Sequence, residues 1–172
     1  MLTKNGGVLL PVPGPRAHVL GVTFGVRQLL ARILFITPLF WFMELLQNRI
    51  YLAFAHDYGW RYRDAQGQLT AWYSFDSLMP WAITVAVFSL LDAFAFEPYR
   101  VALVLRMLVA GAIGWCGEWA TGALFDRVFG HCLQIWPGSS FVYVAPSALP
   151  FWIFDFAVFH FLVRELRRAP ER

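Results

Sequence analysis

Four long apolar stretches, each carrying one carboxylate, constrain this chain more than any other feature. They run at about Ile33 to Ala53, Leu78 to Phe96, Ala102 to Phe125 and Val142 to Val163. A hydrocarbon core about 30 Å thick is crossed by about 20 helical residues. Only closed backbone hydrogen bonding survives there, so each stretch reads as a membrane-spanning helix. The fold class expected is all-α, a four-helix transmembrane bundle, over residues 29–172. Composition agrees. Hydrophobic residues make up 59% of the 172 and charged residues 15%, too apolar for a water-soluble core of this size.

Residues 1–28 read as an amino-terminal arm. Gly6, Gly7, Pro11, Pro13 and Pro15 disfavour a regular helix before about Arg16, and His18 to Gln28 suit an interfacial helix. The apolar run Val8 to Val12 is too short for a cleavable signal peptide. Between the first and second spans, the polar loop His56 to Ser74 carries Tyr58, Trp60, Tyr62, Trp72 and Tyr73, the residue types of an interfacial aromatic belt.

The net charge of +3 does not point to nucleic acid, because no basic stripe with interleaved aromatics exists. Ten basic residues lie in the arm, the second connection and the tail. Only Arg49, Arg61, Arg63 and Arg127 lie in the first and third loops. The positive-inside rule then puts both termini in the cytoplasm.

The carboxylates are Glu44, Asp92, Glu118 and Asp155. A charge at the bilayer centre costs about 3 kcal/mol on insertion scales, so such residues face the bundle and find partners. No Lys or Arg stands in the middle of any span. The acids are therefore expected to meet neutral donors, each other, bound cations or protons. Asp92, near its helix end, reads as snorkelling or locally hydrogen-bonded. Thr37, Glu44, Asn48 and Tyr51 form one polar stripe. Such a stripe suits either a lined cavity or an interhelical hydrogen-bond seam. Ala110, Gly114, Glu118 and Gly122 recur every fourth residue, with Gly117 and Thr121 beside them and Trp115 and Trp119 flanking. Small residues admit a close neighbour, either a helix or a ligand. His160, five residues after Asp155, is about 140° away around the helix, which argues against a direct pair.

The candidate ligand-binding residues are thus Glu44, Asn48, Trp115, Glu118, Thr121 and Asp155. No motif implies a cofactor, and His131-Cys132 lacks the further ligands a metal site needs. There is no phosphate loop, zinc-protease helix or nucleophile elbow, and Ser139-Ser140 after Pro137-Gly138 reads as a turn.

Glu118-Trp-Ala-Thr-Gly122, followed by Leu124 and Phe129, resembles the E-x-x-T-G signature of the transmembrane protein 229 family. That family is related to bacterial proteins labelled ABC-transporter type IV. Their first-span Glu would correspond to Glu44 in Phe-Met-Glu-Leu. Their Trp-Asp-Tyr-Ser element after the third span is replaced here by Trp136-Pro-Gly-Ser139, which keeps the Trp and Ser only. The resemblance, over roughly residues 33–165, implies a four-helix layout in a bacterial inner membrane and no specific activity. Three functions remain open. The chain could bind or transport a small or lipidic ligand. It could be a membrane enzyme on a lipid or isoprenoid, with the acids as general acid or base. It could be a partner subunit, packing against another membrane protein or a second copy of itself.

Overall fold

The computed structural model describes residues 24–64 and 66–168. Four helices carry the architecture: α1 (Val26–Ala55), α2 (Leu78–Leu90), α3 (Leu103–Phe129) and α4 (Leu149–Arg168). A π-helical turn, Leu91–Phe96, extends α2, and a 3-10 turn, Pro146–Ala148, leads into α4. With those extensions all four are long and apolar enough to cross a membrane.

Three boundaries differ from the sequence reading. The first helix begins at Val26, so residues 26–28 belong to it and not to the arm, while the expected interfacial segment before residue 24 lies outside the described residues. Nothing in Val26 to Arg32 opposes helix, and the apolar pattern merely weakens there. The third helix continues to Phe129, where Gly130 ends it in the left-handed conformation (φ 68°) and donates its N–H to Asp126 O. The fourth starts later than Val142, because residues 142–145 run irregularly and Pro146 opens the helical path.

Helices α1 and α2 pack together, as do α3 and α4, whereas α2 and α3 approach each other sparsely. Lipid tails are as apolar as leucine, so close packing rather than water exclusion drives these contacts. A Cβ on Gly111 would stand 2.6 Å from Ile153 Cγ1, and one on Gly114 only 2.3 Å from Trp152 Cε3. Both glycines are thus what lets α4 lie against α3. Phe40, Val85, Phe88, Phe156 and Phe159 fill the main core, while Leu34, Phe35, Phe54, Val104 and Leu124 point outward as a lipid-facing coat would.

A second core sits at the end of the bundle bearing the first and third loops. Strands β1 (Arg61–Tyr62) and β2 (Gln134–Ile135) join those loops in an antiparallel pair. Trp60, Tyr62, Leu133, Trp136 and Val144 are buried around it. Trp60 and Tyr62 are therefore core residues rather than part of an interfacial belt. The loops turn back into the bundle and plug its mouth, where protein encloses their irregular backbone.

At the opposite end Asp92 is buried and takes two arginines, Arg106 Nη1 at 3.3 Å and Arg167 Nη2 at 3.2 Å; Arg167 also pairs with Glu97. Local bonding alone does not describe Asp92. Both arginines stand at helix ends, outside the mid-span window in which no base occurs. The cluster ties the π turn to the start of α3 and the end of α4.

Candidate functional site

Glu44 and Glu118 stand at matching depths, each eleven residues before the end of its helix, or about 16 Å along the axis. The plug reaches down to both. Tyr62 donates its hydroxyl to Glu44 Oε1, while Ser77 Oγ and Trp81 Nε1 donate to Oε2, each at 2.9 Å. Glu118 Oε1 accepts from Gln134 Nε2 (2.5 Å) and Trp136 Nε1 (2.8 Å), and its Oε2 accepts from Trp152 Nε1 (2.6 Å). Asp155 Oδ1 accepts from Gln47 Nε2 at 2.5 Å. Every donor is neutral. Burial and the neighbouring Glu44 push the Tyr62 phenol well above its usual range, which keeps it a proton donor.

The three acids line one cavity of about 190 Å³. Its walls are largely aromatic and apolar, including Trp60, Trp81, Phe88, Trp136, Phe151 and Trp152. Among the described residues, no Lys, Arg or His lines it. Ile83 on α2 and Ile113 on α3 also line it, yet they are 51% and 37% exposed on the outer surface. The cavity thus reaches the flank of the bundle where α2 and α3 part. Gly117 stands in this gap, with no described residue within 4 Å of the position its Cβ would take.

Four of the six candidate residues line this space: Glu44, Glu118, Thr121 and Asp155. The other two do not. Asn48, fully buried, donates Nδ2 to Trp60 O and Trp72 O (3.0 Å each) and accepts Gly59 N–H (2.9 Å) on Oδ1. Trp115 donates Nε1 to Ala145 O at 2.8 Å. Both anchor the plug to the helices. Asn48 shares the stripe with Glu44 but stands one turn nearer the loops, at the height where backbone groups need partners.

The spacing of acids and glycines carried no signal for Gln47, Tyr62, Ser77, Trp81, Gln134, Trp136 or Trp152. Their common trait is a donor aimed at an acid, and only the plug and the pairing of helices bring them there. Among the described residues, no group of three or more His, Cys, Asp or Glu is arranged to hold a metal ion. No protein-family model matches the chain, and neither a curated protein nor a solved structure matches it.

Proposed function

We propose that this multi-pass membrane protein binds a lipidic or other apolar ligand that enters sideways from the bilayer, between α2 and α3, and sets a polar group against the acids. The flank opening carries this reading, because Ile83 and Ile113 belong both to the cavity wall and to the outer surface. A solute taken from water would need a polar path to one face, and the buried plug stands across the nearer one. Aromatic walls with a few convergent polar groups are the usual make-up of a small-molecule site. An engineered apolar cavity of about 150 Å³ already accommodates a benzene ring.

Binding is favoured over catalysis by the bonding of the acids. Glu44 and Glu118 each hold three donors, which suits a fixed electrostatic wall better than a group exchanging protons with a substrate. The charge asymmetry supports cytoplasmic termini, with the plug on the far side.

The test is mass spectrometry of small molecules and lipids that stay with the protein through detergent purification. A Gly117→Leu variant, whose side chain would grow into the cavity, serves for comparison. A species retained by the wild type and lost from the variant is the expected outcome. Identical lipid profiles for two folded proteins would count against a ligand in this cavity.

A further inference from the structure

The lining of the cavity selects its ligand, granted the lateral-entry reading above. Among the described residues three carboxylates line it, and none meets a basic side chain there. Their partners are a phenol, a hydroxyl, indoles and amides, which satisfy lone pairs without supplying charge. Asp92 shows the contrast within the same chain: equally buried, it is met by Arg106 and Arg167. Asp155 stands out further. It is 2% exposed, it faces the cavity, and its second oxygen, Oδ2, accepts no hydrogen bond from the described residues. An acceptor is therefore left open in a cavity that Phe88 and Trp152 also line. Indole and phenyl faces attract cations through their ring quadrupoles.

We infer that the cavity takes an amphipathic organic cation, an amine or quaternary ammonium group on an apolar chain, with the charged head at Asp155 and Glu118 and the chain leaving between α2 and α3. A cation supplies the charge that the walls lack. Among the described residues a phosphate or carboxylate head would meet three acids and no base, which selects against anionic amphiphiles. An uncharged alcohol could fill the volume but would bring the acids no positive charge.

The experiment uses the full chain, stripped of lipid in uncharged maltoside micelles, and reads the fluorescence of the tryptophans that line the cavity. Three probes share one chain length: hexyltrimethylammonium, hexanol and hexanoate. The expected result is saturable binding of the ammonium about tenfold or more tightly than hexanol, with hexanoate weakest. Asp155→Asn should bring the ammonium down to the level of hexanol while leaving hexanol unchanged. Glu118→Gln should act in the same direction, and serves if Asp155→Asn does not fold. Equal affinity for ammonium and hexanol in the wild type overturns the inference, while the lateral ligand site itself stands. Absence of binding by all three overturns both.

Discussion

Gly114 and Gly117 lie three residues apart on α3, yet the structure assigns them opposite responses to one added methyl group. A Cβ on Gly114 would sit 2.3 Å from Trp152 Cε3, 2.8 Å from Cδ2 and 3.0 Å from Cζ3. The indole cannot yield without moving Nε1, which donates to Glu118 Oε2 at 2.6 Å. Overpacking of this kind costs about 1–3 kcal/mol. Gaining Ala in place of Gly within a helix returns at most about 1 kcal/mol. Adding the strain on a hydrogen bond worth about 1 kcal/mol, Gly114→Ala should come out destabilised by about 1–3 kcal/mol. Gly117→Ala meets no described residue within 4 Å and should be neutral or gain up to about 1 kcal/mol. The two variants should then differ by roughly 2–15 °C in thermal midpoint for a chain of this length. Intrinsic tryptophan fluorescence on heating in detergent, with size-exclusion recovery as a check, measures the gap. Equal midpoints, or a lower midpoint for Gly117→Ala, would refute the packing of α4 on α3 described here.

Asn48→Ala should cost about 2–4 kcal/mol, because it leaves Gly59 N–H and two carbonyls buried without their partner; the same thermal assay reads it. Glu118→Gln should fold with a loss of about 1–3 kcal/mol. One carboxylate oxygen becomes an amide nitrogen, so one of its three donors, from Gln134, Trp136 or Trp152, loses its acceptor. Asp92→Asn should destabilise more than Arg167→Gln. Asp92 is buried and serves two arginines, whereas Arg167 is 46% exposed; the larger drop in midpoint should belong to Asp92→Asn. Reporter fusions at Gly67 should score as non-cytoplasmic and fusions after Arg168 as cytoplasmic; a cytoplasmic score at Gly67 would reverse the orientation.

The spans were readable because hydropathy over some 20 residues leaves lipid as the one solvent available. The inward facing of Glu44 was readable too, since Thr37 and Asn48 share its side of α1 and all three are buried. The plug was not. Trp60 and Tyr62 sit among Tyr58, Trp72 and Tyr73 in a stretch without periodicity, and aromatic composition there fits a membrane interface equally well. Their burial depends on β1 pairing with β2, residues more than 70 positions away. Spacing also groups Gly114 with Gly117, and only the position of Trp152 separates a packing glycine from one that stands open. The arginines of Asp92 were missed for a related reason: Arg167 belongs to another helix, and Arg106 reaches across the turn before α3.

The most direct test of the account is an experimental density map of the protein in a lipid nanodisc, viewed at the gap between α2 and α3. The expected result is density of an elongated molecule entering beside Ile83 and Ile113, passing Gly117 and ending near Glu118 and Asp155. Helices α2 and α3 closed against each other, with Gly117 covered and no space beside the acids, would contradict it.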